Sequence, residues 1–291
     1  MRPGPTDPVR EDLLSRIATA VLLVPPVVAG VLWLPTAVVV WPLAILLLLA
    51  AGEWTRMMAG AGWRWRAAFY ALLGGAGIVP SLWLAVTPGV HQGLLVAIAA
   101  LTACWWLAAA AWVACYPAGL APGRPLYRRK LGVGLLIIVP AAWALAGLHG
   151  HGGAGPELVL ILLLIVWAAD TGAYLAGRRF GRHRLAPAVS PGKTWEGALG
   201  GMVAGVAAGV GGALLLGAAG TTLALSALVS AAVVAASIVG DLTISMFKRQ
   251  SQVKDTGRLL PGHGGLLDRI DSLLAAAPVF LLGVQLAQLW P

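Results

Sequence analysis

Charged residues are concentrated in one short segment, residues 245–271, near the carboxyl end of this 291-residue chain. The segment is rich in lysine, arginine and aspartate, whereas only 11% of the whole chain is charged. Apolar runs that are fit for a lipid bilayer lie on both sides of it, and charge beside or inside a membrane usually marks a functional site. Cations, carboxylates and glycine-rich turns in one place suit the binding of a metal ion and a polyphosphate.

One carboxylate lies inside the apolar run before this segment. A polar stripe occupies one helical face there, because its members follow at intervals of four, four and three residues: Ser237, Asp241, Ser245 and Lys248. A seam of hydrogen bonds between helices would explain the serines equally well. Asp241 favours a functional site, because a bare carboxylate in a bilayer needs a cation or a proton.

The following loop, residues 248–265, supplies cations and flexible backbone. Lys248, Arg249 and Lys254 can donate to phosphate oxygens, although a basic loop at the membrane surface explains any one of them more simply. The glycine-rich stretch 262–265 lets the backbone approach a ligand closely and leads into a helix N-terminus, which is a natural anion site.

Two acids begin the next predicted helix. Asp268 and Asp271 share a face, and capping of the helix N-terminus alone would explain Asp271 better than Asp268. If both faced the same site as Asp241, the three carboxylates would repel one another unless a divalent cation lay between them. Oxygen ligands favour Mg²⁺, and the sequence has no Cys/His cluster suited to zinc. We therefore predict a Mg²⁺ site at these acids.

A second polar cluster begins at Asp170 and continues into the sequence SPGKTWEG at 190–197. Asp170 ends an apolar run and so also needs a partner. Ser190, followed by proline, is typical of a helix start, with serine as N-cap and proline at the first helical position. The first turn of that helix is then expected to carry Lys193, Thr194 and Glu196.

The GKT sequence at 192–194 resembles the last residues of a P-loop motif. That motif requires a glycine where this chain has Pro187, and a preceding strand, which is not predicted. The P-loop is therefore rejected, while Lys193 is retained as a phosphate contact.

The composition indicates what must position these residues. Apolar residues make up 59% of the chain and the mean hydropathy is +0.85, whereas soluble domains are roughly 45–50% apolar. At about 20 residues a span, we predict an all-α, polytopic integral membrane protein with about nine transmembrane helices. The expected spans are 15–34, 36–54, 67–87, 92–115, 131–148, 157–177, 195–217, 221–247 and 266–290.

The basic residues predict the orientation. Outside the N-terminal segment and Arg269, every lysine and arginine lies in one of the alternate loops 55–66, 116–130, 178–194 and 248–265. The positive-inside rule then places the N-terminus and these loops in the cytoplasm and the C-terminus outside. This distribution explains the net charge of +9 without a nucleic-acid partner.

The acids divide the chain into two regions. Residues 1–150, with spans one to five, carry little embedded charge apart from Glu53, for which an arginine partner is expected. Residues 151–291, with spans six to nine, hold the other candidate acids. We therefore expect the chemistry in residues 151–291.

Residues 245–271 resemble the signature of the phosphatidate cytidylyltransferases, also called CDP-diacylglycerol synthases. The matching positions are Ser245, Phe247, Lys248, Arg249, Lys254, Asp255, Gly257, Leu260, Pro261, His263, Gly264, Gly265, Leu266, Asp268, Arg269, Ile270 and Asp271. Asp170, the SPGKTWEG element and Gly240-Asp241 are also similar to the family's. The resemblance covers about 165–271.

The resemblance implies a membrane enzyme that joins CTP to phosphatidic acid, giving CDP-diacylglycerol and pyrophosphate. It implies dependence on Mg²⁺, with more than one cation expected, and metal ligands at Asp241 and Asp268, with Asp271 and Asp170 supporting the metal–nucleotide site. Phosphates would be held by Lys193, Lys248, Arg249 and Lys254. The remaining substrate-site candidates are Ser190, Thr194, Glu196, Ser245, Asp255, His263, Gly264, Gly265 and Arg269.

The expected partners are CTP, phosphatidic acid and membrane lipids; the sequence leaves a homodimer open. A composition rich in alanine, glycine and arginine indicates a bacterial cell membrane, with the site facing the cytoplasm. The sequence argues against two alternative functions. The DG-x2-AR…G-x3-D-x3-D pattern of CDP-alcohol phosphatidyltransferases is not in this sequence. An ion-coupled transporter predicts acids at mid-membrane and paired broken helices, whereas Asp268 and Asp271 begin a span beside a basic loop.

Overall fold

The computed structural model describes residues 24–58, 60–87, 92–117, 127–257 and 264–289. These residues are almost entirely helical, which confirms the predicted all-α class. The helices are α1 (Val24–Trp33), α2 (Thr36–Met57), α3 (Trp63–Leu73), α4 (Val79–Val86), α5 (Gln92–Ala114), α6 (Tyr127–His149), α7 (Gly155–Phe180), α8 (Trp195–Leu215), α9 (Gly220–Gln250) and α10 (Leu267–Leu286). A π-helical turn (Gly74–Ile78) joins α3 to α4, and an antiparallel hairpin of β1 (Arg184–Ala186) and β2 (Ser190–Thr194) joins α7 to α8.

Seven segments of the described chain are long and apolar enough to cross a membrane. They are α2, the α3–α4 segment Trp63–Ala85, α5, α6, α7, α8 and α9. The chain is therefore a multi-pass membrane protein, as its composition predicts. A helix coincides with each of the nine predicted spans, although the first is described only from residue 24 and α10 is not among the seven. The number nine and the sides on which the termini lie stay predictions.

Helix α10 runs through the interior of the bundle. It packs against α5, α6 and α9, and its middle residues Ala275, Ala276 and Ala277 are fully buried. Small side chains allow neighbouring helices to approach closely. Because α10 contributes to both large hydrophobic clusters of the bundle, its first turn, which carries Asp268 and Asp271, is firmly held.

Glycines allow α7 and α8 to lie very close together. A Cβ atom on Gly172 would lie 2.6 Å from the Cβ of Ala204, and one on Gly201 would lie 2.8 Å from the carbonyl oxygen of Ala169. Larger residues at either glycine would force the helices apart, as at other small-residue contacts in membranes. The tight contact fixes the two ends of the segment that forms the β1–β2 hairpin.

The start of the helix after residue 190 differs from the prediction. Ser190 is not an N-cap: it lies in strand β2, opposite Ala186, and the helix begins only at Trp195. The residue before a proline is pushed towards extended backbone, which here extends the strand. Thr194 is the actual N-cap, and its Oγ1 accepts the N–H of Gly197 at 3.1 Å.

Several helices extend beyond their predicted spans into the neighbouring loops, among them α2, α6, α7 and α9. α7 and α9 each continue three residues into the predicted loops 178–194 and 248–265. Lys248 and Arg249 therefore lie in the last turn of α9 rather than in a loop. Cations in a last turn interact favourably with the helix dipole, so their charge does not end the helix.

Candidate active site

The candidate site lies where α7, α9, α10 and the hairpin meet. Lys193 of β2 forms an ion pair with Asp241 of α9, and the two side chains are 27% and 29% exposed. The charges of Asp241 and Lys193 also act on Asp170 of α7 and on Asp271 of α10. Three carboxylates from three helices thus lie around one ammonium group, and this brings together four residues that the sequence places up to 101 positions apart.

A second ion pair connects α9 to α10. The Nζ of Lys248 lies 2.8 Å from Oδ1 of Asp268. Oδ2 of Asp268 accepts the N–H groups of Thr256 and Gly265, at 2.9 and 3.1 Å. One carboxylate therefore holds the last turn of α9 and both described ends of the loop that leads to α10.

The polar face predicted for α9 is present in part. The Oγ of Ser245 donates to Oδ1 of Asp241 at 3.3 Å, so these two side chains share the face. The hydroxyl of Ser237 instead donates to the carbonyl of Val234 in its own helix, at 2.8 Å. The side-chain contact within the stripe therefore joins Asp241 to Ser245 and does not include Ser237.

Glu53 is a site residue that the sequence reasoning missed. Its side chain is 4% exposed, and its carboxylate accepts the N–H groups of Leu266 and Leu267 at 2.9 and 2.7 Å and the Thr256 hydroxyl at 2.9 Å. Its described partners are thus the start of α10 and the preceding loop, rather than the expected arginine. The sequence does contain a signal for this residue, because a carboxylate in an apolar helix costs as much free energy at Glu53 as at Asp241.

Glycines leave room for the Glu53 carboxylate. A Cβ atom on Gly265 would lie 2.5 Å from Oε2 of Glu53, and one on Gly257 would also collide with this carboxylate. Gly264 has a φ of +78°, a left-handed conformation that glycine adopts without strain. The glycines of the signature therefore serve the close packing of the loop around a buried acid.

Glu196 and Thr194 shape the base of the hairpin. The Glu196 carboxylate accepts the backbone N–H groups of Arg182 and His183 at 3.0 and 3.2 Å, and it lies 2.6 Å from Nδ1 of His183. Thr194 caps α8 from the other side of the same turn. These contacts hold β2 in the position that presents Lys193 to Asp241.

The remaining candidates lie around this centre. Arg249 is exposed, and its Nε donates to the carbonyl of Val189 at 3.1 Å, which ties α9 to the hairpin. The residues Lys254, Asp255 and Arg269 are also exposed. His263 lies outside the described residues.

The carboxylates of the candidate site can supply some of the oxygen ligands that a Mg²⁺ ion requires. Within the described ranges, no three His, Cys, Asp or Glu side chains are arranged to hold a metal by themselves. Asp170, Asp241 and Asp271 nevertheless offer oxygen ligands only, with Lys193 as the nearby cation. Mg²⁺ takes one or two carboxylates together with water and substrate phosphates. Asp170, Asp241 and Asp271 therefore fit an ion that is bound jointly by protein and substrate. Asp268 differs from them, because its oxygens already accept from Lys248 and from two backbone N–H groups.

The chain matches known proteins along most of its length. Residues 14–287 match the sequence profile described as the cytidylyltransferase family. A phosphatidate cytidylyltransferase of Pseudomonas aeruginosa is 41% identical over 269 residues, which cover 92% of this chain and 95% of that protein. The match therefore includes the α2 segment as well as the C-terminal site.

Two other relatives match shorter stretches of the chain at higher percentage identity. A phosphatidate cytidylyltransferase of Haemophilus influenzae is 49% identical over 132 residues, which cover 43% of this chain and 45% of that protein. One of Brucella suis is 46% identical over 143 residues, which cover 49% of this chain and 52% of that protein.

Proposed function

The chain belongs to the cytidylyltransferase family, and from that membership we propose that it is a membrane nucleotidyltransferase that joins CTP to phosphatidic acid. The products are CDP-diacylglycerol and pyrophosphate. The observation that carries the proposal is the group of Asp170, Lys193, Asp241 and Asp271 beside the Lys248–Asp268 ion pair. Lysine and arginine donors suit phosphate oxygens, and the carboxylates suit the cation that accompanies a nucleotide.

The reaction needs positioning and charge neutralisation more than a general base. The phosphate of phosphatidic acid is already anionic near neutral pH, so one of its oxygens can attack the α-phosphorus of CTP directly. A new P–O bond forms as the bond between the α-phosphorus and the α,β-bridging oxygen breaks, and the electron pair leaves with pyrophosphate. Such transfers depend on in-line alignment and on stabilising charge on the transferred and leaving groups.

The lysines are suited to bring the two anions together. Lys193 and Lys248 are each paired with an aspartate, so both ammonium groups are held in place before any phosphate arrives. The substrate phosphates would share these donors with Asp241 and Asp268. Arg249 and Lys254, which are exposed nearby, would hold further phosphate oxygens.

We further assign Mg²⁺ to the carboxylate side of the site. Asp241 and Asp271 would hold the ion, with Asp170 and Asp268 beside them, and more than one cation is compatible with four acids. When bound, Mg²⁺ would neutralise charge on the nucleotide phosphates. The protein's own part is to hold the acids close together and to keep Lys193 and Lys248 paired beside them.

The site is assigned to the cytoplasmic face of the bacterial cell membrane, in a nine-span protein with its N-terminus inside. The last turns of α7 and α9 carry Arg178, Arg179, Lys248 and Arg249, and all four lie at the end of the bundle that bears the site. The positive-inside rule supports this orientation, and CTP is available only on that side. A homodimer is compatible with the proposal but is not required by it.

The direct test is pyrophosphate release by the purified protein in detergent, with CTP, phosphatidic acid and Mg²⁺ supplied together or one at a time. We expect release only when all three are present and a loss of about 100-fold or more in Asp241→Asn, because charge stabilisation in the site is removed. Glu157→Gln is the control, since Glu157 lies in the first turn of α7, 13 residues before Asp170. A folded wild-type protein without turnover on any lipid and nucleotide would contradict the proposal and favour ion-coupled transport.

A further inference from the structure

An apolar cavity of about 520 Å³ lies beside the hairpin, within the roughly 300–1,000 Å³ that small-molecule sites occupy. It is bounded by the end of α5, the hairpin, the first turns of α8 and the middle of α9. Helix α9 packs against both α5 and α8, and the cavity occupies the space between those two helices. Apart from the polar atoms of Tyr116 and Trp195 and the thioether sulfur of Met202, its lining side chains are hydrocarbon.

The cavity opens to the outside of the bundle at membrane depth. Trp195 and Leu199 line it and are 57% and 65% exposed, so it is not sealed on that side. Its lining on α9 extends back to Ala235, fifteen residues before the helix ends at Gln250. At about 1.5 Å per residue, that position lies about 22 Å from the charged end of α9. A ligand could therefore enter from the lipid.

The inner end of the cavity adjoins the candidate active site. Val189, which lines the cavity, accepts the Arg249 Nε–H through its carbonyl at 3.1 Å. Strand β2, which begins directly after Val189, carries Lys193, and on α9 the lining residue Leu242 directly follows Asp241. Cations therefore lie at one end of a hydrocarbon-lined space that opens to the membrane.

We propose that this cavity binds an acyl chain of the phosphatidic acid and thereby places the lipid phosphate at Lys193. The inference rests on the proposed function, since it assigns the lipid part of the same substrate. An acyl chain matches each feature: an apolar body, entry from the lipid, and an anionic head at the cationic end. A helix of another protein would match the apolar walls but would leave the adjoining cations without a phosphate.

The test is chain-length selectivity in the pyrophosphate-release assay, with dihexanoyl and dipalmitoyl phosphatidic acid. Ala198→Phe and Ala235→Phe place a ring in the cavity at side chains that are not fully buried. Each methylene withdrawn from apolar surroundings weakens binding about fourfold. The ratio of kcat/KM for the long chain to that for the short chain should therefore fall about tenfold or more, while KM for CTP stays unchanged.

Two further variants separate this effect from a general defect. Ala207→Phe adds the same ring at an exposed position of α8 outside the cavity and should keep the wild-type ratio. Met202→Ala widens the cavity and should keep or raise the long-chain preference, which a folding defect would not do. An unchanged ratio in both phenylalanine variants, or an equal loss for both lipids, would overturn the cavity proposal. Absence of wild-type turnover would instead reject the proposed function.

Discussion

At the scale of single residues, Lys193 is the central cation of the site. It is the basic side chain that acts on all three nearby acids, Asp170, Asp241 and Asp271. Removing its charge would leave three neighbouring carboxylates without that cation, and under the proposed function it would also remove a phosphate donor. We therefore expect a change at this residue to affect both the charge balance of the unoccupied site and the proposed reaction.

We expect Lys193→Met to lower kcat/KM for CTP about 100-fold or more, because a positioned charge contributes that much to such reactions. Lys193→Arg, which keeps the charge with a different geometry, should lose less. The measurement is pyrophosphate release with saturating phosphatidic acid. Arg64→Met, at an exposed position of α3, is the control and should behave as wild type. Equal activity of Lys193→Met and the control would remove Lys193 from the site.

Glu53 affects the candidate site indirectly, because it holds the start of α10 in position. Glutamine at this position keeps the size but replaces one accepting oxygen with an NH2 group. The one remaining side-chain oxygen would then be the acceptor for three donors, at Leu266, Leu267 and Thr256. Since an unsatisfied buried donor costs about 1–3 kcal/mol, the defect should appear in both stability and turnover.

We expect Glu53→Gln to lower the thermal unfolding midpoint in detergent and to lower kcat, while KM for CTP changes little. Rescue of kcat at low temperature would identify a positioning role. The control is Thr55→Val, because among the described residues the Thr55 hydroxyl donates to a carbonyl of its own helix, that of Gly52, at 2.9 Å. If KM for CTP rose instead, Glu53 would have to act on the nucleotide.

At the scale of helices, a buried lysine joins three of them near the charged end of α9. Lys130 of α6 is 3% exposed, and its ammonium donates to the Met57 carbonyl at 2.8 Å and to the Ser251 hydroxyl at 2.7 Å. The indole N–H of Trp54 donates back to the Lys130 carbonyl at 2.8 Å. The ends of α2, α6 and α9 are thereby fixed to one another just beside Lys248.

Lys130→Met should therefore destabilise the protein by about 1–3 kcal/mol, because it removes the ammonium donor that the Met57 carbonyl and the Ser251 hydroxyl share. Thermal unfolding in detergent is the measurement. The neighbouring Arg129 is exposed on the same helix, so Arg129→Met removes an equal charge without these contacts. Identical unfolding temperatures for the two variants would show that the Lys130 contacts contribute nothing.

Helix existence and type could be predicted because each span is a long apolar run, and hydropathy is a local property. Ser190 shows where that reasoning fails: its proline neighbour is compatible with either a helix start or a strand, and pairing with Ala186 selects the strand. The acids of α9 and α10 were identified because charge in an apolar segment is costly. That Glu53 contacts α10 depends on tertiary packing, which no local pattern contains.

At the scale of the whole molecule, the alternation of basic loops predicts which end of the bundle meets the cytoplasm. The hairpin end carries the arginines that follow α7, whereas the α6–α7 connection around Gly152 carries none. If the positive-inside rule holds for this chain, the two ends should differ in their access to a reagent that cannot cross the membrane.

The test replaces the exposed Cys104 and Cys115 with alanine and then compares Arg182→Cys with Gly152→Cys. A charged maleimide added to intact cells should label the Gly152→Cys variant, and the Arg182→Cys variant should react only in inverted vesicles. Both mutated positions are exposed, so neither result would depend on burial. The reverse pattern would place the candidate site outside the cytoplasm.

The contact between Glu53 and Leu267 also has a consequence for how the protein is made. The two residues are 214 positions apart, so a ribosome that has finished α2 has most of the chain still to synthesise. Until α10 emerges and inserts, the Glu53 carboxylate lacks its backbone donors, and Asp241, the one acid of α9, lies without its neighbour Asp271. The candidate site is therefore complete only after α10 has been translated, and a chain that stops before α10 lacks Asp268, Asp271 and the backbone donors of Glu53.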